Sequence, residues 1–279
     1  MPAAQQGGHA LYNASTGTLK SGHTWNIMYG DGSGASGIVY ADKVVIGGIT
    51  ATSQAVEAAT SVSAAFQQDP NNDGLVGLSF STLNTVQPTR QNTFFDNIKA
   101  TLAAPLFTAT LRKGAPGSYD FGYVDTTKYT GSIAYAAVNT ARGWWEFTVT
   151  GYAVGSSPTV STSYSAIADT GTTLMYLPAA IVRAYYSRVP GAAYNAGAGG
   201  WLLPCNSVMP NFSMVIGGQL RTVPGSYINW APYTSTQCFG GLQENTGIGF
   251  TIIGDVFLKS QFVIFDNTGP RVGFAQQRM

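Results

Sequence analysis

The chain has 279 residues, of which 44% are hydrophobic and 10% charged, and its 14 Lys and Arg nearly balance its 13 Asp and Glu. A chain of this length can bury a large core in one domain or two lobes, and neither charge sign forms a run suited to nucleic acid or a membrane surface. The longest apolar stretches fall well short of the roughly 20 residues that span a bilayer, which excludes membrane-spanning helices.

Short alternating or β-branched segments recur between turn residues along the whole chain, which is the spacing of strands. In chain order we predict strands over 23–29, 37–45, 49–57, 106–111, 132–138, 146–154, 212–216, 261–265 and 271–275. These segments predict a mostly β protein.

Helical periodicity is convincing in two places, 93–100 and 178–186. The second segment begins with Pro178, which we expect at the first helical position because a missing N–H costs nothing there. Both helices are expected to be accessory to the sheets.

Each half of the chain contains two bulky apolar residues followed by a glycine, namely Leu75-Val76-Gly77 and Ile252-Ile253-Gly254. A glycine lets the backbone approach closely, and we expect the apolar neighbours to bury it. Two unrelated buried strand ends would look the same. The repetition in the two halves nevertheless suggests a duplication.

The most informative stretch runs from Ala166 to Pro178 and contains Asp169-Thr170-Gly171-Thr172. An Asp between an apolar strand and a Thr-Gly turn would accept hydrogen bonds from the N–H groups and hydroxyls that follow, which hold the carboxylate in place and favour its ionised form. A fixed carboxylate is what general acid–base catalysis requires. A plain Asx-turn has the same local sequence, so the context must decide between them.

The second informative stretch, Trp25 to Tyr40, predicts a hairpin with a Gly-rich tip, a form suited to a lid over a cleft. Its segment 32–37 matches GxGxxG, but the strand-like Ile38-Val39-Tyr40 follows instead of a helix, which argues against a dinucleotide site. The sequence has no GxSxG motif, and its two His lie near the N-terminus. Serine hydrolysis is therefore excluded.

The two cysteines, Cys205 and Cys238, form no CxxC motif, and with His9 and His23 alone no HExxH motif is possible, so we expect no metal. Low charge with abundant Ser, Thr, Gly and Tyr is typical of secreted proteins, in which two cysteines most simply pair as one disulfide. Sequons at Asn13 and Asn211 fit secretion weakly. The opening Met1-Pro2-Ala3 does not predict a signal peptide.

The motifs, taken in order, resemble the pepsin-like aspartic proteases, and in detail the secreted fungal acid proteases of the penicillopepsin, aspergillopepsin and endothiapepsin type. The matching segments are 29–33, 73–78, 93–97, 129–133, 169–174, Cys205 with 238–241, 252–256 and 272–275. The resemblance implies a bilobal pepsin-like fold, with an N-lobe over 1–130 that carries a flap and a C-lobe over 131–279 that carries the disulfide, and with a substrate cleft between the lobes.

Carried over by position, the resemblance implies that Asp169 is the catalytic aspartate of the C-lobe. Its supporting loop would be Thr170, Gly171 and Thr172. The flap and pocket residues that would contact substrate are Tyr29, Gly30, Asp31, Ser33 and Tyr176. The resemblance further implies protein or peptide substrates, inhibition by pepstatin-like compounds, no cofactor, no nucleic-acid or membrane partner, and secretion.

The sequence departs from the family in one important respect. The family has one Asp-Thr-Gly motif in each lobe, whereas this sequence contains a single one, at Asp169. The resemblance therefore implies an N-lobe truncated before the first motif. The tryptophan that follows that motif in the family is also missing, and Trp25 in the flap strand is not its replacement. A lone carboxylate can act as a base with no acid opposite it, so we expect the isolated chain to be slow or inactive.

Three hypotheses follow for the function. The chain is an acid endopeptidase that cuts between bulky apolar residues, in a truncated or processed form. Alternatively, it is a catalytically silent pepsin-fold module that binds peptides. The third hypothesis, a homodimer that shares two copies of Asp169, ranks lowest because the rest of the N-lobe would occupy the place of the second subunit. We expect a monomer in which exposed sheet edges permit self-association.

Overall fold

The computed structural model describes residues 6–278, and the Met1-Pro2-Ala3 opening lies outside the described residues. The chain divides into two compact units between Leu102 and Ala103. The predicted division into lobes at residue 130 stays a prediction. None of the helices in residues 6–278 has the length and apolar character needed to cross a membrane.

The first unit is built on a three-stranded antiparallel sheet in the order β1-β2-β3. Its elements are β1 (Thr18–Met28), β2 (Gly34–Ile46), β3 (Ile49–Val62), α1 (Ala64–Gln67) and α2 (Phe94–Ile98), with 3₁₀ turns at Ser81–Leu83 and Lys99–Thr101. The strands run longer than predicted. Gly47 and Gly48, both at positive φ, form the turn between β2 and β3, because a tight hairpin turn needs two residues with that conformation.

The second unit contains the remaining elements. They are β4 (Leu106–Thr110), β5 (Ser118–Phe121), β6 (Tyr129–Ala137), β7 (Glu146–Val154), β8 (Val160–Ala168), β9 (Met175–Leu177), α3 (Ala179–Tyr186), β10 (Ala193–Asn195), β11 (Gly200–Pro204), β12 (Phe212–Ile216), β13 (Gln219–Val223), α4 (Gly225–Ile228), β14 (Asn229–Pro232), β15 (Gln237–Gly240), β16 (Leu242–Glu244), β17 (Thr251–Ile253), α5 (Asp255–Leu258), β18 (Gln261–Asp266) and β19 (Arg271–Gln277).

Three sheets organise the second unit. A seven-stranded sheet has the order β13-β12-β7-β8-β17-β9-β16, a five-stranded sheet has the order β5-β4-β18-β19-β6, and a four-stranded sheet has the order β10-β11-β15-β14. Strand β18 is buried along its whole length, and Phe265 stacks on Phe107 of the neighbouring β4 with 4.6 Å between ring centroids. The mostly β fold expected from the sequence is thus confirmed.

Two strands and both helices form close to where the sequence predicts them. Strands β7 and β12 have the predicted bounds. Both helices form, and Thr93 caps α2 by accepting a hydrogen bond from the Asp96 N–H. The assignment of Pro178 to the first helical position was wrong: Pro178 has extended backbone and is the N-cap of α3, which begins at Ala179.

The predicted disulfide is confirmed. Cys205, directly after β11, bonds to Cys238 in β15. These two strands are neighbours in the four-stranded sheet, with Leu203 opposite Cys238. The bond therefore links segments that the sheet already holds together.

The glycine repeat has different surroundings in the two halves. Ile253 beside Gly254 is fully buried, as predicted. Leu75 and Val76 beside Gly77 are 60% and 57% exposed, so the expectation that apolar neighbours bury the first glycine was wrong. An added Cβ at Gly77 would meet nothing within 4 Å. Of the two glycines, only Gly254 is closely approached by other backbone atoms.

Candidate active site

Asp169 stands where two parallel strands end together. Strands β8 and β17 pair in parallel, with Ala168 opposite Ile253, and the carboxyl ends of parallel strands meet at one edge of a sheet. The Asp169 N–H donates to the Ile253 carbonyl oxygen at 3.1 Å. The β8–β17 pairing therefore places the turn after β8 against the residues that follow β17.

The carboxylate of Asp169 is held on both oxygens by its own turn. Oδ1 accepts from the Gly171 N–H at 2.9 Å, and Oδ2 accepts from the Thr172 hydroxyl at 2.6 Å. Two charge-assisted hydrogen bonds fix the carboxylate plane, while the side chain stays partly exposed. The sequence-predicted loop of Thr170, Gly171 and Thr172 is thus brought together around Asp169. The Asp169 carboxylate is fixed in position, and solvent or a ligand can reach it.

A second carboxyl group lies close to this turn. The Asp255 N–H donates to the Thr172 carbonyl oxygen at 2.8 Å, and the Val256 N–H donates to the Thr173 carbonyl oxygen at 2.9 Å. Burial raises the pKa of Asp255, the Lys259 ammonium lowers it, and the charge of Asp169 raises it further. Asp255 lies in the matching segment 252–256, but no role can be predicted for it from the sequence, because its nearness to Asp169 depends on the β8–β17 pairing.

Tyr119 of β5 also lies close to the turn, although no sequence motif indicated it. Burial raises the pKa of Tyr119, hydrogen bonding with the Thr170 side chain lowers it, and the charges of Asp255 and Asp169 raise it further. Since 50 residues lie between Tyr119 and Thr170 in the sequence, no local pattern links them. Tyr119, which belongs to the five-stranded sheet, thus lies beside the Asp169 turn.

The predicted hairpin forms in the first unit and has an ordered tip. The Tyr29 N–H donates to the Ser33 carbonyl oxygen at 2.8 Å, and the Gly32 N–H donates to the Tyr29 carbonyl oxygen at 3.0 Å. Asp31 Oδ1 accepts from the Ser33 N–H at 2.9 Å and from its hydroxyl at 2.7 Å. These two bonds from Ser33 lower the pKa of Asp31. Ser33 is buried and Asp31 is exposed.

The two tyrosines singled out in the sequence lie in different units. Tyr29 is 37% exposed, packs edge-on against Phe66 at 5.8 Å between centroids, and has a pKa raised by burial and then by the charge of Glu57. Tyr176 lies in β9 opposite Ile252 of β17, and burial raises its pKa. Trp25 is buried with Val39 and Val86, which places it in the core of the first unit.

Across residues 6–278 there is no group of three or more His, Cys, Asp or Glu side chains arranged to hold a metal ion.

Comparisons with known proteins agree on one family. The family model described as eukaryotic aspartyl protease matches residues 2–277. Penicillopepsin-3 from Penicillium janthinellum is 54% identical over 99% of this chain and 71% of the relative, and penicillopepsin-1 from the same organism is 53% identical over 99% of this chain and 86% of the relative. Aspergillopepsin-1 from Aspergillus oryzae is 54% identical over 99% of this chain and 71% of the relative.

A solved structure gives the same result for the fold. The crystal structure of an aspartic proteinase from Irpex lacteus superposes with a TM-score of 0.82 at 25% identity, covering 96% of this chain and 85% of that one. The resemblance found in the sequence motifs is thereby confirmed.

Proposed function

Since the chain belongs to the eukaryotic aspartyl protease family, we propose that Asp169 is one of two carboxylates in an acid endopeptidase that cuts peptide bonds between bulky apolar residues. Aspartic-type endopeptidase activity follows from the family. The observation that carries the role of Asp169 is its geometry: both carboxylate oxygens accept hydrogen bonds from the turn that follows β8.

The proposed mechanism uses two carboxyl groups that share one proton, because two carboxylates in contact cannot both ionise. The ionised group takes a proton from a bound water, and the water attacks the carbonyl carbon of the peptide bond. The protonated group hydrogen-bonds the oxygen on which negative charge develops. Thr172 and Gly171 keep the Asp169 oxygens in place for this transfer.

The second carboxylate needs a source, because Asp-Thr-Gly occurs once in the 279 residues. We propose that it comes from sequence outside these residues. Asp255 is a poor substitute, since its Oδ2 lies 3.3 Å from the Lys259 ammonium and its Oδ1 is buried. A general acid or base contributes roughly 10² to 10⁴ in rate, so these 279 residues by themselves should be slow or inactive.

The hairpin tip has a proposed role in binding. Tyr29, Gly30 and Asp31 would contact the substrate backbone, with Ser33 holding Asp31, and Tyr176 would form a pocket wall. The ordered tip supports this, because the bonds between Ser33 and Asp31 reduce the freedom lost on binding. Pepstatin-like inhibitors would contact the same residues as the substrate. We also propose that the protein is secreted and that Asn13 and Asn211 carry glycans. It would be a monomer that can associate through its sheet edges.

The test compares two proteins, these 279 residues and the product of the intact gene. Denatured haemoglobin is digested at about pH 3 to 4 with and without pepstatin. We expect the gene product to cleave, to be inhibited by pepstatin, and to lose activity on Asp169→Asn. A gene product that cleaves equally well after Asp169→Asn would contradict the proposal.

The alternatives give different results in the same assay. A peptide-binding module would bind pepstatin saturably and yield no fragments from either protein. A homodimer sharing two copies of Asp169 would show specific activity that climbs with the concentration of the 279-residue chain, whereas a monomeric enzyme would show a flat dependence.

A further inference from the structure

A small pocket lies beside the Asp169 turn in the second unit, and the proposed protease mechanism makes no use of it. Its volume is about 140 Å³, which is room for a group of several heavy atoms and well beyond a single water molecule. The side chains that define it are Lys113, Thr173, Tyr227, Trp230, Asp255 and Lys259.

Two ammonium groups face this pocket from different elements. Lys113, on the loop between β4 and β5, donates to the Ser226 carbonyl oxygen at 2.7 Å and lies 4.9 Å from the centroid of the Tyr227 ring. Lys259, directly after α5, lies 3.3 Å from Asp255 Oδ2. Two cations and one carboxyl group leave the pocket with excess positive charge, which attracts an anion.

The carboxyl group of Asp255 has one unsatisfied oxygen. Oδ1 is buried and has no hydrogen-bond partner among the described residues, whereas Oδ2 faces Lys259. A buried polar atom without a partner costs free energy. The side chain of Asp255 lines the pocket, so a group that enters the pocket meets this carboxyl group.

When Asp255 is protonated, its carboxyl group donates a hydrogen bond, so a group that meets it in the pocket is then an acceptor. Burial raises the pKa of Asp255, and the charge of Asp169 adds to the rise while Lys259 opposes it. Asp255 therefore keeps its proton to higher pH than an exposed Asp, and a protonated carboxyl donates a hydrogen bond.

We propose that this pocket binds a carboxylate carried by a peptide, with its oxygens between the ammonium groups of Lys113 and Lys259 and a hydrogen bond from the Asp255 carboxyl group. The rings of Tyr227 and Trp230 cover the aliphatic carbon next to the carboxylate. The carboxylate belongs either to a Glu or Asp side chain or to a peptide C-terminus. This inference does not depend on the proposed protease mechanism, since it uses none of the Asp169 chemistry.

The proposal predicts a bell-shaped dependence of affinity on pH. The charged and titratable groups that line the pocket are Lys113, Lys259, Asp255 and Tyr227, and Asp169 and Tyr119 interact electrostatically with Asp255. Below about pH 4 the peptide carboxylate becomes protonated and its attraction to the lysines is lost. Above the raised pKa of Asp255, that residue ionises, stops donating and repels the ligand. Affinity therefore falls both when the peptide carboxylate is protonated and when Asp255 is ionised.

The experiment titrates three probes into the 279-residue chain at about pH 5 by calorimetry. N-acetylglutamic acid α-amide offers a side-chain carboxylate, N-acetylglycine offers a C-terminal carboxylate, and N-acetylglutamine amide is the neutral match. We expect at least one acidic probe to bind and the neutral probe not to bind, and the acidic probe that binds more tightly identifies the source. Equal binding of the neutral probe, or binding by neither acidic probe, overturns the proposal.

Variants locate the bound carboxylate. Lys113→Met and Lys259→Met should each lower the affinity for the acidic probe about five- to tenfold. Lys43→Met, on β2 of the first unit, should leave that affinity unchanged. Asp255→Asn cannot ionise, so the fall in affinity at high pH should disappear in that variant, and this readout does not depend on Lys substitutions that harm folding. Affinity unchanged in both Lys→Met variants would mean that the carboxylate binds elsewhere, which also overturns the proposal.

Discussion

A methyl group on Gly254 would lie 2.3 Å from the carbonyl oxygen of Thr172. That oxygen accepts the Asp255 N–H, and the Thr172 hydroxyl holds Asp169. Gly254 is therefore what allows the chain after β17 to press directly against the Asp169 turn. The close approach depends on the missing side chain and not on an unusual backbone conformation, since the φ of Gly254 is −93°.

We expect Gly254→Ala to lower the free energy of unfolding by about 1–3 kcal/mol, because the methyl group forces two backbone segments apart in a packed interior. Urea unfolding of the 279-residue chain measures it. Gly77→Ala is the matched control, since a Cβ there meets nothing within 4 Å. Equal effects of the two substitutions would show that the close approach to Thr172 carries no energetic weight.

The hydroxyl of Thr172 gives a catalytic prediction. In the product of the intact gene, Thr172→Val should lower kcat by about 10²-fold, because a carboxylate bound on one oxygen instead of two no longer keeps its productive orientation. Thr172→Ser keeps the hydroxyl that donates at 2.6 Å to Asp169 Oδ2 and should stay near the parent rate. Steady-state kinetics with a peptide substrate separate kcat from KM.

If Thr172→Val raised KM and left kcat unchanged, the hydroxyl would serve binding and not the orientation of Asp169.

Local sequence patterns predict local structure here, and the limits are visible at particular residues. Alternation along Glu146–Val154 and Phe212–Ile216 predicted the bounds of β7 and β12. Strands β9, β10 and β16 have three residues each, too few for a period to be recognised. They form because neighbours in the sheet supply their hydrogen bonds.

In the candidate site, too, some contacts can be predicted from the local sequence and others cannot. The bonds from Gly171 and Thr172 to Asp169 lie within one turn, so the Asp-Thr-Gly-Thr sequence predicts them. Asp255 comes to that turn through the pairing of β8 with the distant β17, and neither Asp255 nor Tyr119 carries a local signal. The exposure of Leu75 and Val76 shows the converse, because apolar character alone does not say what covers a side chain.

The pair formed by Arg142 and Glu146 predicts a dependence of stability on pH. Glu146 is 6% exposed and accepts from Arg142 at 2.6 Å and 3.0 Å. The bonds from Arg142 lower the pKa of Glu146, burial opposes them, and a further bond from Ser165 lowers it again. A lowered folded-state pKa means that the contribution is complete above the unfolded value of about 4.3 and is lost as pH falls through the folded value.

We therefore expect Arg142→Gln to lower the free energy of unfolding by about 1–2 kcal/mol at neutral pH and by less in strong acid. A residual difference should persist in acid, because Arg142 also lies 4.7 Å from the centroid of Trp144. Arg183→Gln is the control: its side chain is 69% exposed in its pair with Glu244, so it should cost well under about 1 kcal/mol. Urea unfolding from pH 3 to 7 gives both curves, and a pH-independent loss in Arg142→Gln would contradict the assignment.

The tip of the hairpin gives a prediction that needs no enzymatic activity. Asp31 Oδ1 accepts both the N–H and the hydroxyl of Ser33, so Asp31→Ala should free the Ser33 N–H and speed its hydrogen exchange by about five- to tenfold. Asp31→Asn keeps an oxygen in the same position and should exchange close to the parent rate. The exchange of residues in β3 should not change, because their bonds lie away from the tip. If Asp31→Ala left the Ser33 exchange rate unaltered, the order of the tip would come from its backbone bonds between Tyr29 and Ser33, and the carboxylate of Asp31 would be free to bind substrate.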